Sequence, residues 1–97
     1  MNATTIPEPT WKPYVQAARN HLSAADKASL PDSAFAFPRV RKEPMTDAAH
    51  VRSAVARFNQ VADVTDAERV LAFANFLKAA GHFGVHMRET DWHQLGS

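Results

Sequence analysis

The sequence predicts a mainly α-helical fold: three principal helices, two of them forming a helical hairpin, with a short extended segment around residues 34–37 laid across them. Three observations predict it. Apolar side chains recur at helical spacing in three stretches, cap residues stand ahead of the helical runs, and Ala34-Phe35-Ala36-Phe37 alternates small and large side chains between prolines. With 97 residues the chain has room for one modest core, and 45% apolar and 22% charged residues are ordinary globular usage. Residues 1–10 are expected to be a flexible arm, and residues 11–95 one small helical domain.

The arm carries two prolines and three threonines without a periodic apolar pattern. Trp11, Val15, Ala18 and Leu22 then fall on one face of a helix over about residues 12–22, with Pro13 suited to its first turn. Trp11 and Tyr14 read as core residues. Ser23 is placed to cap a further turn through Lys27, which Leu30-Pro31 ends.

Pro31-Asp32-Ser33 reads as a turn leading into the alternating Ala-Phe run, which places Phe35 and Phe37 on one face. So short a strand is not stable alone. It either packs on a helix or pairs with another extended piece, and the best partner in sequence is Val85-His86-Met87, giving a minimal two-stranded ribbon. Arg39, Arg41 and Lys42 follow, before Pro44.

Thr46 or Asp47 caps the second helix, whose apolar stripe is Val51, Val55, Phe58 and Ala62, with Ala54 and Val61 beside it. Its opposite face carries His50, Ser53, Arg57 and Gln60, with Arg52 and Asn59 on an adjoining row. Thr65-Asp66-Ala67-Glu68 has the form of a capping box, so the third helix starts there and packs on the second. Val70, Phe73, Ala74, Leu77 and Ala80 form its buried stripe, widened by Phe76 and Phe83. Gly81 and Gly84 offer left-handed positions that end it, and Thr90-Asp91 caps a last turn carrying Trp92 and Leu95.

Eleven basic and ten acidic residues give +1, too balanced for the broad positive field of a non-specific nucleic-acid binder. There are no cysteines, which removes disulfides, thiolate nucleophiles and Cys-ligated zinc. The start of the chain lacks a basic and apolar leader, and no apolar run reaches the roughly 18–20 residues that span a bilayer. A cytoplasmic protein without a membrane partner is the default expectation.

No constellation carries an obvious reaction. His82, His86, His93 and Asp91 lie near one another in sequence, but Gly84 interrupts the helical spacing and no zinc motif is present. Asp47, His50 and Ser53 superficially resemble an acid, base and nucleophile set, yet Asp47 reads more simply as a cap and no oxyanion donors accompany Ser53. No glycine-rich phosphate loop exists. The expectation is a chain without metal or cofactor, and without catalytic residues.

Charge is uneven locally. Residues 38–57 hold five basic and two acidic side chains, a local +3. Arg39, Arg41, Lys42, His50, Arg52 and Arg57 are therefore the candidate binding residues, weighed against a solvated, ion-paired surface that binds nothing. The reading favours a non-catalytic interaction or accessory domain whose partner is another protein. The alternative is a nucleic-acid-binding accessory protein using the same patch. In the third helix Glu68, Arg69, Ala72, Asn75 and Lys78 are the positions expected to face outward, a poor set for reading DNA.

The run LPDSAFA at residues 30–36, Arg41, Pro44, TDAAHVR at residues 46–52 and AVARF at residues 54–58 resembles a small family of uncharacterised actinobacterial domains. Similar segments are found attached to phage head-maturation and other phage structural proteins. The resemblance covers about residues 29–87 and implies a compact domain recurring beside different partners, with no catalytic residue to carry over. The chain departs from the pattern at Ser53, where asparagine is usual, and in a third helix with less lysine and arginine.

Overall fold

Each helix begins at a cap that the sequence supplies. In the computed structural model, which describes residues 7–14 and 23–95, the order is α1 (Ala24–Ser29), β1 (Phe35–Phe37), β2 (Lys42–Pro44), α2 (Ala48–Ala56) and α3 (Asp66–Phe83), with short 3-10 turns between and after them. Ser23 caps α1 and Thr65 caps α3, each in a reciprocal capping box, while Asp47 caps α2. Gly84 ends α3 at φ 73°, the left-handed conformation that a residue without Cβ adopts most cheaply. Gly81 lies inside the helix.

The fold is mainly α with a minimal ribbon, as expected, but the ribbon's second strand is 42–44 rather than 85–87. β1 and β2 are antiparallel, with Phe35 opposite Pro44 and Phe37 opposite Lys42. The return is tight: the Arg41 amide donates to the Pro38 carbonyl at 3.2 Å. A strand that follows in sequence needs only this turn, whereas residues 85–87 would have to close a far longer loop. The turn places Arg41 and Glu43 at φ 54° and 61°, a region that side chains with Cβ adopt at a cost of about 1–2 kcal/mol each.

All three residues of β1 are buried, and Phe35 and Phe37, although on one face, join different clusters. Phe37 joins Met45, Val51, Phe58, Phe76 and Trp11 in the main core, while Phe35 packs with Leu30, Ala34 and Tyr14. Phe58 is the hub of the aromatic contacts, its ring lying 5.7 Å from both Phe37 and Phe76 and 5.9 Å from Trp92. Burying such a ring contributes about 1.5–3 kcal/mol.

The second helix is shorter than its apolar stripe suggested. It ends at Ala56, and Phe58–Gln60 forms a 3-10 turn that carries Phe58 and then Val61 inward, leaving Ala62 exposed. The α3 helix is buried over more of its circumference than one stripe. Ala72 and Asn75, expected to face outward, are fully buried along with Phe73, Phe76 and Ala79, because β1 packs on one side of α3 and α2 on another.

The first expected helix, over residues 12–22, falls mostly outside the described residues; Lys12, Pro13 and Tyr14 are not helical. Trp11 belongs to the core at 1% exposure, its indole N–H donating to the Met45 carbonyl at 3.0 Å. Of the expected arm, residues 1–6 lie outside the described set, and Thr10 is tied to α3 through Asn75.

Candidate functional site

The six candidate residues divide into two engaged arginines, a histidine held in a helix cap and three exposed cations. Arg39 and Arg41 belong to the β1–β2 turn and point their guanidinium groups back onto the protein. Arg39 meets Glu68 through two bonds, Nε to Oε2 at 2.6 Å and Nη2 to Oε1 at 3.0 Å, and donates to the Asp63 carbonyl at 2.6 Å. This fork clamps the turn to the first residues of α3. The Arg39 bond, followed by the Thr65 amide, holds the Glu68 carboxyl down at about 2.

Arg41 closes the other end of the hairpin. It pairs with Asp32 and donates to the Lys27 and Leu30 carbonyls at 3.0 and 2.8 Å, satisfying acceptors at the end of α1. Its guanidinium also lies 4.7 Å from the Phe35 ring centre. These contacts hold Arg41 in its left-handed conformation and leave little of its donor capacity for a partner.

His50 sits half-buried in the first turn of α2, where its ring Nδ1 and backbone amide both approach Asp47 Oδ1 at 2.8 Å. Burial pushes the Asp47 carboxyl up, but the amide and ring of His50 outweigh it and hold the carboxyl below its ordinary range. Ser53 is exposed and makes no hydrogen bond to His50 among the described residues. The three side chains are a cap and its neighbours in geometry.

Lys42, Arg52 and Arg57 are exposed and form no salt bridge among the described residues. Arg52 and Arg57 flank an outward ridge of small side chains, Ala49, Ser53 and Ala56, on α2. A cleft of about 350 Å³ lies on the Arg57 side, lined by Lys42, Glu43, Gln60 and Asp63. Burial pushes the Glu43 carboxyl up against the opposing pull of Arg57, Lys27 and Lys42. On the Arg52 side a groove of about 210 Å³ runs between Val55 and residues 85–89.

Arg69, His82 and His93 are engaged structurally. Arg69 lies over Phe58 and Trp92, at 5.7 and 5.8 Å from their ring centres. His82 packs edge-on against Trp11 and Phe83, and His93 pairs with Asp91. Among the described residues no three His, Asp or Glu side chains gather as metal ligands. None of their helices is long and apolar enough to cross a membrane.

The profile of a family of unknown function matches residues 13–90, from just beyond Trp11 through both clefts that flank α2. The chain belongs to family DUF6582. The matched span includes the clamped hairpin and all six candidate residues, so the arginine contacts and the ridge on α2 lie within the DUF6582 region. No curated protein and no solved structure matches the chain.

Sequence reasoning missed Arg88 and Glu89 as part of a surface, and assigned His86 and Met87 to a strand pair. Nothing in the local pattern shows that this stretch lies beside Arg52 and Val55.

Proposed function

We propose that this DUF6582 protein is a non-catalytic interaction domain that docks an acidic surface of another protein on the outer face of α2. The observation that carries the reading is the division of the cations. Arg39 and Arg41 are committed to the hairpin, whereas Arg52 and Arg57 stand exposed on either side of the small-residue ridge. Arg52 on α2 and Arg57 at its C-cap have the bases of their side chains fixed by the helix, and small residues between them let a partner's backbone approach closely. Lys42 extends the positive charge on the Arg57 side. The resemblance to segments beside phage structural proteins favours a partner from such an assembly.

Nucleic acid is the weaker reading. Burial of Ala72 and Asn75 removes the face of α3 that would enter a groove, leaving α2 alone with its few cations. Site-specific photo-crosslinking tests the proposal. A photoreactive residue at Ser53 should trap an acidic protein in cells that naturally make the chain, and the same residue at exposed Lys78 on α3 should not. Equal trapping at both positions, or trapping of nucleic acid at Ser53, rejects it.

A further inference from the structure

We infer that residues 85–89, with α2 beside them, form an acceptor edge on which an extended acidic peptide segment of a partner protein adds as a β-strand. The inference rests on the proposed α2 docking face and names the form in which the partner binds there.

The argument begins with the backbone. After Gly84 the Val85 amide still returns to the Ala80 carbonyl at 2.8 Å, but residues 86–89 have no backbone hydrogen-bond partner among the described residues. The side chains nevertheless alternate: Val85, Met87 and Glu89 are half-buried, while His86 and Arg88 are exposed. This period of two is that of an extended chain with one face on the protein. Of the inward positions Val85 and Met87 are apolar and Glu89 is charged, and β1 is already paired with β2. Residues 86–89 lie outside the ribbon, and their amides and carbonyls, unbonded within the described residues, are groups to which an extended peptide can add through main-chain hydrogen bonds.

The groove states what the added strand should look like. Val55, Val85 and Met87 supply apolar contacts, and Arg52 and Arg88 place two guanidinium groups against the single carboxylate of Glu89. A volume of about 210 Å³ suits one or two side chains rather than a folded surface. Alternating apolar and acidic residues would set the apolar ones over Met87 and Val55 and the carboxylates within reach of Arg52 and Arg88. A basic peptide would meet like charge, so the groove discriminates by sign.

The test uses a fluorescein-labelled peptide of alternating valine and aspartate, titrated against the full chain by fluorescence anisotropy at low salt. Two further versions are N-methylated at the valines or at the aspartates, and a control alternates valine and lysine. The acidic peptide should bind and shift the amide resonances of residues 86–89. At least one N-methylated version should bind about tenfold more weakly, or worse, through loss of main-chain pairing. R52E combined with R88E should weaken the parent peptide by a similar factor, while Lys78→Glu, at an exposed position of α3, leaves it unchanged. No binding of the acidic peptide, or equal binding of the valine–lysine control, overturns the inference. If both N-methylated versions bind as tightly as the parent, strand addition fails while docking of acidic groups on α2 stands. Failure of α2 docking itself is read separately, from crosslinks at Ser53.

Discussion

Asn75 accepts a hydrogen bond from the backbone amide of Trp11 at 2.8 Å, in the centre of the core and 64 residues along the chain. The same oxygen accepts the Thr10 amide, and the Asn75 amide group donates to Thr10 Oγ1 and to the Ala36 carbonyl. One fully buried side chain therefore ties the N-terminal segment and β1 to α3. Nothing apolar of the same shape can replace it, because the amides of Thr10 and Trp11 would lose their acceptor.

Asn75→Leu should destabilise the protein by about 2–4 kcal/mol, since it strands polar groups of both the N-terminal segment and β1. Asn75→Asp keeps the acceptor but brings a carboxylate up to the Ala36 carbonyl, and should also destabilise. Urea unfolding followed by circular dichroism measures both. A leucine variant as stable as the parent would show that these bonds hold nothing together.

This residue also marks what the sequence conceals. The caps Ser23, Asp47, Thr65 and Asp91 were legible because capping acts within three residues of chain, and so was the apolar face of α2 through Val51 and Ala54. Asn75 was not, because an asparagine among apolar residues on a helix resembles an outward position until β1 is seen to cover it. Arg39 looked free for the same reason: its partner Glu68 lies 29 residues away. The true partner of β1 is a charged tripeptide whose turn requires two left-handed non-glycine residues, which no local pattern announces. Exposure of Arg52 and Arg57 could be read from helical spacing alone.

The Arg39–Glu68 clamp predicts an acid dependence. Glu68 is held from its ordinary 4.5 down to about 2, so its contribution is complete above pH 4.5 and is lost as pH falls towards 2. Arg39→Met should return the Glu68 carboxyl towards 4.5, read by carbon NMR titration of the labelled side chain, and should flatten that part of the stability profile. An unmoved titration midpoint would mean that the fork does not form in solution.

The two glycines of α3 should respond in opposite directions to alanine. At Gly81 a Cβ meets nothing within 4 Å and the residue is helical, so Gly81→Ala should stabilise by about 0.5–1 kcal/mol. At Gly84 space is equally open but φ is +73°, so Gly84→Ala should destabilise by about 1 kcal/mol. Thermal unfolding of the pair distinguishes backbone conformation from crowding as the cause. Like signs would contradict the helix end at Gly84.

The central claim is that the basic residues divide into a structural pair and a docking pair. One comparison tests it: affinity capture from the native cell, with unfolding measured on the same proteins, for R39M combined with R41M and for R52E combined with R57E. The account predicts that the hairpin variant unfolds more easily yet captures the same acidic protein when folded, whereas the α2 variant keeps its stability and loses that protein. Retained capture by the stable R52E and R57E variant would contradict it.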